Sequence, residues 1–303
     1  MGFFHKALER LVPLLPRWII TSVARRYVAG ETDDDVLRAV LELRIKGLVS
    51  TVDILGENAG DDAEVAAVVA RYVALLHRLK DERVPPHVSI KPTHLGLRLG
   101  EDVSLAAARS IVEAAVELEG FVEIDMEDSS TTDATIRLFR TLREDFDSVG
   151  MAVQACLRRS IDDVTNLAAL RPSLRICKGI YIEPGEIAFG GREEIRESFL
   201  RLVDATLEAG GRPAIATHDR RLVDACLERT RDLDPSTHEY QMLAGVGHRL
   251  RPAILRAGSP VRIYVPYGPR WLDYSLRRLN ENPRLLLHVV AGVLTGRAFF
   301  ARR

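Results

Sequence analysis

From Leu48 onward the chain alternates between two hydrophobic rhythms. Short runs dense in Val, Ile and Leu have the length of strands. Longer stretches follow them, with apolar residues recurring at the three- and four-residue spacing of a helix face. The short runs are LVSTVDIL (48–55), HVSIKPTHL (87–95), FVEIDMED (121–128), MAVQACL (151–157), LRICKGIYI (174–182), RPAIATHD (212–219), HEYQMLAG (238–245) and PVRIYVPYG (260–268). DDAEVAAVVARYVALLHRLKD, SLAAARSIVEAAVELEG and REEIRESFLRLVDATLEAG are the clearest helical stretches between them. Several open on Asp, Ser or Thr, which cap helix N-termini, and several close at Gly. Eight strand–helix units predict an α/β fold of the (βα)8 barrel, or TIM, type. An open doubly wound sheet is the competing architecture, but it usually has fewer strands, and no G-x-G-x-x-G or Walker A loop is found. Residues 1–47, VLRAVLELRIKG most clearly, read as a helical segment packed on a barrel domain of residues 48–303.

In such a barrel the site forms at the C-terminal strand ends, and strands buried on both faces are expected to be nearly all apolar. Polar residues there therefore stand out. They are Glu57 after the first run, Lys91 in the second, Asp125 and Glu127 in the third and Gln154 in the fourth. Arg175, Lys178 and Tyr181 fall in the fifth, Thr217, His218 and Asp219 end the sixth, and Tyr264 lies in the eighth. Singly, each has an ordinary explanation: a lysine reaching water, an aspartate capping a loop, a satisfied core histidine. Together with Arg277 and Arg278 the lysines and Arg175 suggest a cationic mouth opposed by few carboxylates, suited to an anionic ligand. Barrel lysines serve either as Schiff-base amines or as electrostatic support, and the sequence leaves both open.

Composition narrows the field. The 303 residues carry 42 basic and 43 acidic side chains, a formal net charge of −1, which gives no electrostatic case for nucleic acid. Cys156, Cys177 and Cys226 are far apart, without C-x-x-C, so no metal site or disulfide framework is expected and a reducing cytoplasm fits. The opening MGFFHKALERLVPLLPRWIITS is broken by charges and two prolines, unlike a signal peptide.

One stretch near the end, YSLRRLNENP (274–283), places Tyr274, Arg277, Arg278 and Glu281 at i, i+3, i+4 and i+7, along one helical face. Adjacent guanidinium groups can grip a carboxylate as a fork. This stretch reproduces the pattern Y-x-x-R-R-x-x-E. With DILGE (53–57), IK at Lys91, EIDMED around Asp125, VQA at Gln154, ATHD around His218 and RIYVPYG at Tyr264, the chain resembles the proline dehydrogenase family, in particular its single-function bacterial members, from about Leu48 to Pro283.

The resemblance implies a distorted (βα)8 barrel whose last helix lies over the mouth, an FAD cofactor, and oxidation of L-proline. The hydride passes from the ring carbon beside nitrogen to the flavin N5, the product is Δ1-pyrroline-5-carboxylate, and the electrons go on to a quinone. It further implies that Arg277, Arg278 and Lys91 hold the substrate carboxylate, and that Tyr181 and Tyr264 wall the pocket. By the same resemblance Asp125 is the acidic active-site residue, Arg175 its partner beside the flavin, and Glu57 the gate partner of Arg277. Met126, Gln154, Lys178, Gly179, Ile180, Thr217, His218 and Glu281 match cofactor contacts. RICKGIY departs from the family's R-L-V-K-G-A-Y at Ile176, Cys177 and Ile180, which changes the shape beside the flavin. The closing LLLHVVAGVLTGRAFFARR reads as barrel packing with a basic tail, or as a peripheral membrane contact on the cytoplasmic face. A Schiff-base lyase and a flavoenzyme for a related cyclic amine are the alternative functions.

Overall fold

In the computed structural model, residues 27–272 are described. Eight parallel strands close into one barrel in sequence order. They are β1 (Val49–Ile54), β2 (His87–Ile90), β3 (Phe121–Ile124), β4 (Val149–Gln154), β5 (Ser173–Cys177), β6 (Arg212–Ala216), β7 (Glu239–Leu243) and β8 (Val261–Tyr267). Helix α1 (Asp33–Ile45) precedes β1. The helices between strands are α2 (Asp62–Asp81), α3 (Glu101–Glu117), α4 (Thr132–Asp145), α5 (Ser160–Leu167), α6 (Arg192–Glu208), α7 (Arg220–Arg229) and α8 (Arg251–Arg256).

The local signals explain these elements. Thr32 caps α1 by accepting from the Asp35 backbone N–H, and the Asp35 carboxylate accepts from the Thr32 backbone N–H, a reciprocal capping box. Asp61 caps α2 by accepting from the Glu64 N–H at 2.8 Å. Burying the apolar stripe of each helix against the sheet then supplies most of the stability, at about 25 cal/mol per Å² removed from water.

The strands alternate, contrary to the expectation of uniformly apolar runs. Val52, Ile54, Val88, Ile90, Val122, Ile124, Leu174, Ile176, Ile263 and Val265 join the large apolar cluster with the helices. The intervening positions carry Asp53, Ser89, Glu123, Asp125, Arg175, Glu239, Gln241, Arg262 and Tyr264, which hydrogen-bond to one another across the barrel. The apolar core is thus a shell between sheet and helices, and the barrel lumen is polar.

The ring closes through β1 and β8, paired from Val49↔Arg262 to Ile54↔Tyr267. Helix α1 packs against both strands. Its Asp33 accepts from the Tyr267 hydroxyl at 2.8 Å, and the segment before it bonds to the end of β8 through Ala29 N–H to Pro266 O at 2.9 Å. Helix α1 thus packs on the outside of the seam between the last and first strands. No helix among the described residues is long and apolar enough to cross a membrane.

Candidate active site

The strand ends surround a cavity of about 550 Å³. This lies within the range of small-molecule and cofactor sites. Its β8–β1–β2–β3 side is a tight ionic cluster. Lys91, just past β2, donates to Asp53 Oδ2 at 2.7 Å and lies 3.3 Å from Asp125 Oδ2. The Tyr264 hydroxyl lies 2.7 Å from Asp53 Oδ2 and 3.0 Å from Asp125 Oδ2. Arg175 Nη1 pairs with Asp125 Oδ1 and reaches Ser89 Oγ at 2.9 Å, while its Nη2 donates to Glu123 Oε2 at 2.7 Å and its Nε to Gln241 Oε1 at 2.6 Å. The guanidinium also lies 5.1 Å from the Tyr264 ring centre, a cation–π arrangement.

These contacts set the charges. Burial pushes the Asp125 carboxyl up, but Lys91 and Arg175 outweigh it and hold the group below the usual carboxylate range, so Asp125 is ionised. Burial lowers the Lys91 ammonium, and the Asp53 and Asp125 charges more than reverse this, leaving it raised. A lysine so held remains protonated, the opposite of what a Schiff-base nucleophile needs. Burial pushes the Cys156 and Cys177 thiols up to about 11, which removes them as nucleophiles at neutral pH.

The β4–β5–β6 side is looser and amphipathic. Gln154 donates from Nε2 to the Glu127 carbonyl at 2.8 Å. Lys178 pairs with Asp219, which also accepts from Arg196 Nε at 2.8 Å and caps α7. His218 Nε2 accepts from the Leu243 backbone N–H at 3.0 Å, so its other ring nitrogen carries the proton of the neutral tautomer. Gly179 has φ +94°, and a Cβ there would sit 2.2 Å from Cys156 Sγ and 3.1 Å from Gln154 Oε1. Only glycine fits this turn, which lets backbone approach the cavity closely.

Lys91, Asp125, Met126, Gln154, Arg175, Lys178, Gly179, Ile180, Tyr181, Thr217, His218 and Tyr264, scattered over the sequence, all line this one cavity. Glu57 stands half-buried beyond its lining, and the Glu127 carboxylate turns back to accept from the Thr93 N–H and hydroxyl at 2.9 and 2.6 Å. Arg277, Arg278 and Glu281 lie outside the described residues, as do most of residues 1–47 and the closing segment. Two readings are corrected. Strand β5 ends at Cys177, so Lys178 to Tyr181 belong to the loop after it; the positive φ at Gly179 ends the ladder where the apolar pattern runs on to Ile182. The cations within the described residues are also not opposed by few carboxylates: Lys91, Arg175 and Lys178 are each paired. Asp53, Ser89, Glu123 and Gln241 went unremarked. For two of them the signal is a period of two, a polar residue two positions before a noted one: Ser89 before Lys91 and Glu123 before Asp125.

The sequence model of the family described as Proline dehydrogenase matches residues 36–286. The chain belongs to the proline dehydrogenase family. It is 35% identical over 292 residues to the proline dehydrogenase of Deinococcus radiodurans, covering 94% of each chain. It is 32% identical over 273 residues to proline dehydrogenase 1 of Bacillus subtilis, covering 89% of this chain and 90% of that one. Among solved structures, proline utilization A from Bdellovibrio bacteriovorus, inactivated by N-propargylglycine, superposes with a TM-score of 0.79 at 24% identity. That match covers 86% of this chain and 33% of the longer protein, and it supports the barrel fold.

Proposed function

We propose that this protein oxidises L-proline to Δ1-pyrroline-5-carboxylate with bound FAD, the first step of proline breakdown, and passes the electrons to a quinone. Family membership and the names of its relatives support an oxidoreductase acting on proline. The observation that carries the finer reading is the division of one cavity into an ionic β8–β1–β2–β3 side and an amphipathic β4–β5–β6 side. Bound FAD supplies the two-electron acceptor for the hydride.

The residues on the second side fit that cofactor. Gly179 admits backbone at close range, and Gln154, Thr217 and His218 offer amide, hydroxyl and imidazole groups. Lys178 places positive charge beside a ring that gains negative charge on reduction. Met126 and Ile180 supply apolar contact, and the family resemblance adds Glu281, outside the described residues, as a cofactor contact. On the first side, Lys91 with Arg277 and Arg278 takes the substrate carboxylate, and Tyr264 and Tyr181 pack the five-membered ring. Asp125 and Arg175 fix the polar floor beneath the reacting carbon, and the family resemblance gives Glu57 the part of gate partner to Arg277, which lies outside the described residues. Hydride transfer needs orientation more than a nucleophile, and a rigid ion-paired floor supplies orientation.

Adding L-proline without oxygen to the purified yellow protein is expected to bleach the flavin band. A protein that neither carries nor takes up FAD overturns this reading. A flavoprotein that ignores proline but is bleached by another cyclic amine keeps the chemistry and changes the substrate. Arg278→Lys is expected to raise KM for proline strongly, because an ammonium cannot reproduce the guanidinium fork.

A further inference from the structure

We propose that Asp53, which lies beneath the cavity and not in its lining, is the positioning residue that sets Lys91 and Tyr264 for the substrate. The inference rests on the function proposed above, and it adds a residue to which no role has been given. Asp53 is fully buried in β1, and its Oδ2 receives both Lys91 Nζ and the Tyr264 hydroxyl at 2.7 Å. Those two groups, from β2 and β8, reach the cavity; Asp53 does not.

The geometry is that of an anchor. Lys91 hangs on a flexible four-carbon stem, and Asp125, at 3.3 Å on its cavity side, is the other carboxylate in ion-pair range of it among the described residues. Asp53 gives the ammonium a fixed partner on the side away from the ligand, so its remaining protons can face a carboxylate without the amine collapsing onto Asp125. The phenol of Tyr264 likewise lies between Asp53 and Asp125 and 3.4 Å from Lys91. With one hydrogen and two carboxylate oxygens within 3.0 Å, its orientation depends on both. The groups facing Asp53 are Lys91 from β2, Asp125 past β3, Tyr264 from β8 and Tyr72 from α2, whose hydroxyl lies 3.5 Å from Asp53 Oδ1. Burial raises the Asp53 carboxyl, the Lys91 charge draws it part of the way back and the Asp125 charge adds to the rise, so the group stays above the usual carboxylate range. The anchor rests on its two short contacts.

The test uses the FAD-loaded full chain with Asp53→Asn, which preserves shape and one acceptor. KM for L-proline per bound flavin is expected to rise about tenfold or more, with flavin content nearly unchanged, beyond whatever the loss of a buried charge partner takes from the thermal midpoint. The Tyr264→Phe effect should shrink in the Asp53→Asn background, because both changes remove one shared arrangement. A second readout needs no activity: acetic anhydride labelling of Lys91, read by mass spectrometry across pH. Labelling should begin about one pH unit or more lower in Asp53→Asn, the size of one lost close charge. Asp53→Ser, an acceptor without charge, serves if the asparagine variant fails to fold. Unchanged KM and unchanged labelling, with only the thermal midpoint lowered, would make Asp53 structural and overturn the proposal. If the wild-type protein leaves proline untouched, the proposed function fails on its own. The labelling comparison then still decides Asp53, an earlier onset upholding its grip on Lys91 and an unchanged one refuting it.

Discussion

The lumen of the barrel holds two ionic clusters, one at each end, built from the same residue types. At the floor, Glu239 accepts from Arg262 Nε at 2.7 Å, Arg262 Nη2 at 3.1 Å, Arg212 Nη2 at 2.8 Å and Gln241 Nε2 at 2.8 Å. Arg262 also donates to the Ser50 carbonyl at 2.7 Å. Both oxygens of Glu239 are saturated, and its carboxyl is held well below the usual range: burial pushes it up, and Arg262 and Arg212 outweigh that. At the mouth, Asp53, Asp125, Lys91, Arg175 and Tyr264 make bonds as short, but the cluster opens on a cavity. A floor cluster with every site filled can only hold strands together. A mouth cluster with donors facing open space can hold a ligand. Chemistry of the side chains does not separate support from site here; access does.

Arg175 spans the comparison, because it bonds Asp125 at the mouth and Glu123 toward the floor. Arg175→Met should therefore do both kinds of damage. Leaving Glu123 buried without its charge partner is expected to cost about 3–5 kcal/mol in a denaturant titration, and proline turnover should vanish with it. Acid should act next, on neutral buried imidazoles. Burial and then Arg262 lower His87, near the floor, from 6.5 to about 4. The unfolded chain binds that proton below pH 6.5 and the folded chain only near 4, so stability falls as pH drops through this window, by about 3 kcal/mol in all. Burial and Lys91 lower His94, near the mouth, to about 3, which adds in the same direction. Thermal midpoints measured from pH 7 to 4 should drop steeply, and His87→Gln should flatten the drop.

Asp125→Asn separates the two ends. Turnover should fall about 10- to 100-fold while the unfolding midpoint moves little, since Asp125 meets the cavity and Glu123 still satisfies Arg175. Wild-type turnover in that variant would reduce Asp125 to a strut. The smallest effect belongs to the cofactor side. Gly179→Ala places a methyl against Cys156 Sγ at a positive φ, and a strain of about 1–3 kcal/mol there should weaken FAD binding, measured by flavin fluorescence, with proline KM per bound flavin preserved.

The fold was legible because one unit repeats eight times, and each copy restates the alternation of strand and helix. The cavity residues were legible for a related reason: a barrel gathers strand ends whatever their spacing in the chain. Partnership was not legible. Lys91 is 38 residues from Asp53, and Gln241 is 118 from Glu123. No local pattern announces that a lysine read as free cation has its counter-ion one strand away. The end of β5 was missed for a different cause. Ile180 and Ile182 continue an apolar run, but they belong to a loop in which they are exposed, and the turn is made by one glycine.

The position of α1 has a consequence for how the chain is made. Asp33 meets Tyr267, and the Gly30 carbonyl meets the Gly268 N–H at 2.9 Å, so the first described helix waits for the last strand. During synthesis it emerges more than 230 residues before its partner, as the separation of 234 between Asp33 and Tyr267 records. Of the two strands it packs on, β1 follows it at once, but β8 comes only after the other six. The nascent chain must therefore carry a half-covered helix until β8 is made. A chain cut short before β8 leaves part of its apolar face uncovered, and chaperones and proteases recognise such a surface.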